Sequence, residues 1–301
     1  DSGLCIVNVD MLVAGQQFVE CVDGDATKLQ SVASGGVGRI EWVEDAAVTG
    51  EMLAVVTRGE VAAASTPSSP AIIRTLTLDG TQVWAADWTL WSGSTTASSA
   101  GVSQMAVADN MLYAVSNETF ANSSTSAVSP GKVFGINLDT GEVEKRLVCG
   151  GGVNSLPKMD ANVDYVMSAT TTTLIVRDHD GLMVWGTLSL PANVAVKFGP
   201  DGKVYTQQGT SLKSFTVGNS TAVLDVASVS TINDIGFDSS GNVIVGITNS
   251  GSTEVRCYDT GGSLQWSYEH GQDVRAIAVD PTNGNVLIGG GLSSVGGSNN
   301  N

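Results

Sequence analysis

One pattern recurs along the chain and limits what it can fold into. A short apolar run meets a turn built on Asp, Asn or Gly, and a second apolar run follows. It occurs as IVNVDMLVAG around Asp10, AAVTGEMLAVV around Gly50, MAVADNMLYAVS around Asn110 and MDANVDYVMS around Asn162. It returns as VKFGPDGKVYTQ around Gly202, IGFDSSGNVIVGI around Gly241 and IAVDPTNGNVLIGG around Gly284. A second signal lies between these copies: a strand that ends in Asp and Gly, then an apolar position, often Trp. Its members are LTLDGTQVW (Leu76 to Trp84), INLDTGEVE (Ile136 to Glu144), VRDHDGLMVW (Val176 to Trp185) and RCYDTGGSLQW (Arg256 to Trp266). VECVDGDATKL (Val19 to Leu29) and SFTVGNSTAVL (Ser214 to Leu224) are weaker members. Asp-Gly and Asn-Gly supply the positive-φ positions that two-stranded turns need.

Each repeat therefore reads as two consecutive hairpins, four antiparallel strands in all. Such a sheet cannot bury both faces alone, but radially stacked copies cover one another and protect their edges. The spacing of about 40 to 60 residues is that of propeller blades. A β-sandwich explains alternating strands but not the regular pairing of two turn types. The expectation is an all-β chain: a single β-propeller domain over residues 1–301, with about seven four-stranded antiparallel blades. The blades are expected at approximately 3–34, 36–90, 101–149, 153–190, 193–227, 230–270 and 272–301. Seven inner hairpins can be counted but only six outer ones. The first blade reads as whole, so the last is incomplete: either the chain was cut short, or the outer strands come from another segment or chain, and the ring is open or completed by residues outside this sequence. Glu60–Pro70, Asn117–Pro130 and Trp91–Ala100 are rich in small polar residues and read as loops or linkers.

The D-x-G-x-x-x-W pattern at Asp79–Trp84, Asp180–Trp185 and Asp259–Trp266, with slightly different spacings, resembles the quinoprotein-like and related bacterial propeller repeats. Phe237–Trp266 also looks like the bacterial type with D-x-x-G-N-V-x-V-x-G followed by Y-D-x-x-G-x-x-x-W. The resemblance covers nearly the whole chain as a pattern. It implies architecture, because propellers host enzymes, scaffolds and binding modules alike. Quinoprotein dehydrogenases bind pyrroloquinoline quinone with calcium and often carry vicinal cysteines. This chain has no adjacent pair among Cys5, Cys21, Cys149 and Cys257. Those cysteines show no zinc spacing and read as buried small residues; a disulfide between Cys5 and Cys21 remains open.

Lactonase-type propellers hold a divalent cation on Glu, Asn and Asp at the channel. Asp160, Asn162, Asn193, Asn233 and Asp234 fall near the expected inner strands, yet these residue types are also ordinary turn formers. No ligand spacing matches the calcium-loop patterns, so the expected cofactor is none, with a structural Ca2+ near an acidic loop as the one cation allowed for. His179, in DHDG, and His270 read as exposed turn residues rather than acid–base groups. GGVGR (Gly35–Arg39) and CGGGV (Cys149–Val153) read as turns between blades rather than phosphate cradles.

Trp84, Trp185 and Trp266 recur at equivalent positions and are expected to pack between blades. Trp88 and Trp91 fall off that pattern and, with Asp87, form ADWTLW beside a polar linker. Aromatics in such a setting stack on sugars or anchor a partner, so Asp87, Trp88 and Trp91 are the candidate contact residues. Three sequons, at Asn117, Asn122 and Asn219, fall in expected loops.

The formal net charge of −16 disfavours nucleic acid as a partner. No run approaches the 18 apolar residues of a membrane span. Because the numbering starts at Asp1 rather than Met, a leader, tag or upstream segment is expected to lie outside it. The functional expectation is a non-catalytic structural or recognition propeller of an extracellular assembly, such as a phage virion or tail component or a surface adhesin. Its partners would be proteins of that assembly or host-surface glycan. The alternative is a secreted or periplasmic enzyme with a metal or quinone in the central channel. A scaffold of an outer-membrane assembly machine would need a lipoprotein cysteine, and Cys5 lies instead in the strand-like run GLCIV.

Overall fold

The computed structural model describes residues 4–7, 17–22, 28–33, 39–48, 52–61, 72–77, 81–87, 102–116, 132–148, 158–170, 173–191, 194–227, 229–249, 252–269, 274, 276–280 and 283–289. Every element described is a β-strand. The first sheet holds β1 (Leu4–Val7), β2 (Gln17–Val22) and β3 (Lys28–Ala33). The second holds β4 (Arg39–Val48), β5 (Met52–Val61), β6 (Ile72–Thr77) and β7 (Gln82–Asp87). The third holds β8 (Val102–Ala108), β9 (Met111–Ser116), β10 (Lys132–Asn137) and β11 (Val143–Val148). The fourth holds β12 (Lys158–Ala161), β13 (Tyr165–Ala169), β14 (Leu174–Asp178) and β15 (Met183–Leu188). The fifth holds β16 (Val196–Phe198), β17 (Val204–Gln208), β18 (Ser211–Phe215) and β19 (Ala222–Ala227). The sixth holds β20 (Thr231–Phe237), β21 (Val243–Asn249), β22 (Ser252–Tyr258) and β23 (Leu264–Glu269). The last pairs β24 (Ala276–Val279) with β25 (Val286–Gly289). Strands follow chain order across each sheet, as consecutive hairpins require.

The turns sit where the Asp/Asn/Gly signals stand. Gly141, Gly181, Gly202, Gly218, Gly241, Gly262 and Gly284 all have positive φ. Asp178, Asp238 and Asp259 use one shared device. The Oδ1 of each accepts two backbone amides: from Asp180 and Leu182, from Ser240 and Asn242, and from Gly261 and Ser263 respectively, at 2.8–3.0 Å. A carboxylate that accepts local amides satisfies the turn and sets the hairpin register. In four outer hairpins the register shifts just before the turn, at Thr75/Leu76, Gly135/Ile136, Ser214/Phe215 and Cys257/Tyr258.

The first sheet departs from the expected whole blade: among the described residues it has three strands. VECV pairs with β1 directly, in the register Leu4↔Val22 and Cys5↔Cys21. It therefore serves as a middle strand, shared between the hairpin with β1 and the hairpin with β3. The expected turn at Asp10 lies outside the described residues, as do most of the long polar insertions. The last sheet shows its inner hairpin and no outer one among the described residues.

The chain divides into two compact units, Asp1–Thr170 with Arg177–Met183, and Thr171–Val176 with Val184–Asn301. Within the first, Ile73, Leu112, Phe134 and Ile136 join a core between the second and third sheets. Tyr113, Val133, Met159 and Val166 join another between the third sheet and β12–β13. Within the second unit, Tyr205, Leu212, Ile232 and Val245 join the fifth sheet to the sixth. Ile244, Cys257, Val274 and Ile277 join the sixth to the last. Burying each such Leu, Ile or Phe stabilises the fold by about 1.5–3 kcal/mol.

The burial pattern follows position within a sheet. In β21, Val243, Ile244, Val245 and Ile247 are all buried, because the strand is covered on both faces. In β11, an outer strand, Glu144 and Arg146 are exposed while Leu147 is buried. The inner strands therefore read as continuous apolar runs and the outer ones alternate.

Candidate functional site

One seam repeats between successive sheets within each unit. The residue on the outer strand just after the bulge docks on the outer turn of the next sheet. The register identifies it as Trp84 opposite Thr75, Lys145 opposite Gly135, Leu224 opposite Ser214 and Trp266 opposite Cys257. Trp185 takes the same place by its spacing from Gly181, four residues, as Trp266 is from Gly262.

Trp84 donates its indole N–H to the Leu138 carbonyl at 2.6 Å. Its ring lies so close to Gly141 that a Cβ there would stand 2.8 Å from Cδ2. Lys145 pairs with Asp180 at 3.2 Å, and Leu147 lies against Gly181. Trp185, only 7% exposed, packs on Phe215 at 5.9 Å between ring centroids, with its N–H 3.4 Å from Ser220 Oγ. Leu224 and Val226 lie against Gly262. Glycine is required at Gly141, Gly181 and Gly262 for two reasons: positive φ, and the close approach of the neighbouring side chain.

Trp266 breaks the series. It is 39% exposed, and Tyr268, two residues on and on the same face of β23, is 54% exposed; Leu264, across the bulge and opposite Tyr258, is 54% exposed on the other face. All six residues of β23 are exposed. Next in chain order is the two-stranded sheet β24–β25, which covers the inner part of the sixth sheet through Ile277, Val279, Val286 and Ile288. The expected packing of these tryptophans between sheets thus describes Trp84 and Trp185, while Trp266 forms part of an exposed apolar strip.

A second set of polar side chains ties the inner strands together. Gln104 Oε1 accepts the Met159 amide at 3.0 Å. Gln207 Oε1 accepts the Ile232 amide at 2.8 Å, and its Nε2 donates to the carbonyls of Gly209 and Ser230. Asp234 Oδ2 accepts the Ile277 amide at 2.7 Å, and Asn233 Nδ2 donates to Thr248 Oγ1 and the Val274 carbonyl. Gln104 and Asp234 both follow bulges, between Val102 and Gln104 and between Ile232 and Asp234. A bulge re-aims the side chain beside it, here toward the next sheet.

The residues considered as metal ligands are largely engaged in these roles. Asn233 and Asp234 staple sheets, and Asn162 Oδ1 accepts the amides of Asp164 and Tyr165. Asp160 is half-buried on β12, and Asn193 lies outside the described residues. Among the described residues, no group of three or more His, Cys, Asp or Glu is gathered as a metal site.

His179 is not the exposed turn residue expected. It is half-buried, and its Nε2 faces the carbonyls of Asn162 and Val163 at 3.0 and 3.1 Å. Carbonyls only accept, so Nε2 carries the hydrogen and Nδ1 accepts from Tyr113 Oη at 2.5 Å. Burial, with the charges of Asp109, Glu144 and Asp180, pushes the Tyr113 phenol up to about 12. Such a phenol keeps its proton and donates. Burial, then Asp238 and Asp259, pushes the Cys257 thiol up to about 11, which leaves it a poor nucleophile near neutrality.

Of the candidate contacts, Asp87 ends β7 opposite Ile72. Trp88, Trp91 and His270 lie outside the described residues, as do the sequons at Asn117 and Asn122. Asn219 sits in an exposed turn, where its Oδ1 accepts the Thr221 amide. Among the described residues no helix is long and apolar enough to cross a membrane.

No family model matches this chain, and a search of curated proteins finds no match. Among solved structures, it is similar to a protein of unknown function from Bacteroides caccae, with a TM-score of 0.50 and 11% sequence identity. The match covers 86% of this chain and 92% of that one. At this identity the likeness is one of fold alone.

Proposed function

We propose that the chain is a β-propeller serving as a non-catalytic structural or recognition module of an extracellular assembly, such as a phage virion or tail component or a surface adhesin. The observation that carries this reading is the exposed strip on β23, since the equivalent side chains Trp185 and Leu224 are 7% and 6% exposed. A large apolar side chain left outside a repeated interface marks a surface that meets another molecule. Several polar side chains among the described residues hold the sheets together. Gln207, Asp234 and Asn233 join sheets, and Tyr113 and His179 bond to each other. Protein partners of the assembly fit the strip, and host-surface glycan is the other class of ligand that stacks on aromatic side chains.

The test uses the purified chain. Mass measurement in solution is combined with metal analysis and a screen of lactone and alcohol substrates. The reading expects particles or complexes with assembly proteins and no turnover. Bound metal accompanied by turnover would overturn it in favour of a secreted or periplasmic enzyme. A monodisperse monomer forming a fully closed ring, with no partner, would also count against it.

A further inference from the structure

One Asn–Gly pair occurs in the sequence, Asn283–Gly284, and the fold sets it in the loop between β24 and β25. The Asp280 amide donates to the Asn285 carbonyl at 2.9 Å and closes this loop, and the Gly284 amide donates to the Asp280 carbonyl at 2.8 Å. The turn at Asn137–Glu142 has the same two bonds: Asn137 donates to the Glu142 carbonyl and Gly141 to the Asn137 carbonyl, both at 2.9 Å. A side chain completes each turn. Thr140 Oγ1 accepts the Glu142 amide at 3.2 Å, and Asn283 Oδ1 accepts the Asn285 amide at 2.8 Å. Threonine thus holds in one turn the place that asparagine holds in the other. The difference between them is chemical. Asn283 offers a carboxamide carbon beside the nitrogen of a glycine whose φ is +74°, with nothing within 4 Å of an added Cβ. Asn283, Gly284 and Asn285 are all exposed.

We infer that Asn283 is a site of spontaneous succinimide formation, gated by opening of the β24–β25 hairpin, and that its isoaspartyl product unpairs that hairpin. The Gly284 nitrogen gives up its proton and attacks Asn283 Cγ. The N–Cγ bond forms, the Cγ–Nδ2 bond breaks, and ammonia leaves with the proton. Water then opens the ring. At Cγ it yields aspartate; at the main-chain carbonyl of residue 283 it yields isoaspartate, whose backbone runs through Cβ and Cγ. The Asn285 amide already donates to Oδ1, where negative charge develops during the attack, and so favours the step. The Gly284 proton is held by the Asp280 carbonyl, and a hydrogen-bonded amide gives up its proton when the local structure opens. In the paired hairpin the electrophile is therefore ready and the nucleophile is withheld. The Asp–Gly pairs of other turns lack an amide leaving group, and at Asp201 the carboxylate is moreover paired with Lys203. Isoaspartate lengthens the main chain of the loop by one carbon and adds a carboxylate to the turn that holds Asp280. The bond from the Asp280 amide to the Asn285 carbonyl spans this loop and sets Val279 opposite Val286. Loss of that register releases Val279, Val286 and Ile288 from the sixth sheet, on which they pack. This chemistry is independent of any partner of the chain.

The test incubates the full chain in mildly alkaline buffer beside a synthetic peptide with the sequence of residues 276–289, AIAVDPTNGNVLIG. Isoaspartyl residues are labelled with protein isoaspartyl methyltransferase and located by peptide mapping. Label at Asn283 should accumulate in both, roughly tenfold or more slowly in the folded chain than in the peptide. Ile288→Ala, which loosens β25 from the sixth sheet, should speed labelling of the chain several-fold. Urea below the unfolding midpoint should do the same to the parent, opening the hairpin without a substitution. Asn283→Thr should carry no label there and should melt as the parent does, since Thr140 fills that place in the matching turn. The converted chain, separated by ion exchange through its new carboxylate, should exchange the β25 amide hydrogens faster than the parent. Equal rates in the folded chain and the peptide, or a rate indifferent to urea, overturn the gating. No label at Asn283 in the folded chain, with or without Ile288→Ala, overturns the site. Unchanged exchange along β25 after conversion overturns the unpairing.

Discussion

Gly141→Ala tests the seam most directly. Gly141 has φ +73°, and a Cβ added there would stand 2.8 Å from Cδ2 and 3.0 Å from Cγ of Trp84. Two costs follow. Holding alanine in the left-handed region costs roughly 1–2 kcal/mol. Separately, the indole must retreat, which strains packing by about 1–3 kcal/mol and stretches its hydrogen bond to Leu138, a bond with a net value of about 1 kcal/mol. Gly202→Ala isolates the first cost, because Gly202 has φ +72° and nothing within 4 Å of its added Cβ. Urea unfolding followed by tryptophan fluorescence and circular dichroism should place Gly202→Ala about 1–2 kcal/mol below the parent and Gly141→Ala about 2–5 kcal/mol below it. The double variant Gly141→Ala/Trp84→Ala should be less destabilised than the sum of its singles, since the clash is gone. Equal losses at Gly141 and Gly202, or strict additivity with Trp84→Ala, would refute the claim that the indole is seated on this turn.

Other expectations concern the buried polar contacts. Tyr113→Phe removes the donor to His179 Nδ1 and should cost about 1–3 kcal/mol, read from the same urea midpoints. Burial raises both Tyr113 and Tyr205 to about 12, with Asp109 and Asp201 respectively the next contributors. Their stabilising effect is full below the ordinary tyrosine value of 10, where both states hold the proton. It is lost as pH rises from there through about 12, because the unfolded chain ionises first. Urea midpoints between pH 9 and 12 should therefore fall more steeply in the parent than in Tyr113→Phe/Tyr205→Phe. Gln207→Leu keeps volume but strands the Ile232 amide and the Ser230 carbonyl; a loss of about 1–3 kcal/mol is expected, with faster hydrogen exchange at Ile232. Cys5 and Cys21 are register partners in the β1–β2 pair, and opposed Cα atoms of antiparallel strands stand about 4.5–5.5 Å apart, within the span a disulfide bridges. After exposure to oxidised glutathione, a non-reducing peptide map should show them joined and two hydrogens lighter, and Cys5→Ser should abolish that species.

Much of the fold was legible because its signals are local. An Asp that accepts the amides two and four residues on, followed by Gly at positive φ, is decided within five residues, as at Asp178–Leu182 and Asp259–Ser263. Apolar runs on either side then pair as hairpins, and two turn types in alternation yield sheets of four strands. The first sheet differs because the run before Asp10 was expected to pair with the run after it, whereas β1 pairs with VECV, a contact that local turn signals do not decide.

The site was legible only in part. Sequence singled out Trp84, Trp185 and Trp266 as one class by their spacing from glycine, and nothing within that spacing distinguishes the third from the others. What separates them among the described residues is whether the side chain meets an outer hairpin of the next sheet, as Trp84 and Trp185 do. Those contacts join residues 54 apart for Trp84 and Leu138 and 35 apart for Trp185 and Ser220. His179 shows the same limit: its turn reads as exposed, yet its partner Tyr113 lies 66 residues away. The sequence alone thus determined the turns, the hairpins and the repeat, because each is set by backbone dihedrals and hydrogen bonds among near neighbours. The tertiary structure alone decided which side chains are covered, because burial depends on how whole sheets stack, and equal spacing from a turn leaves Trp185 buried and Trp266 exposed.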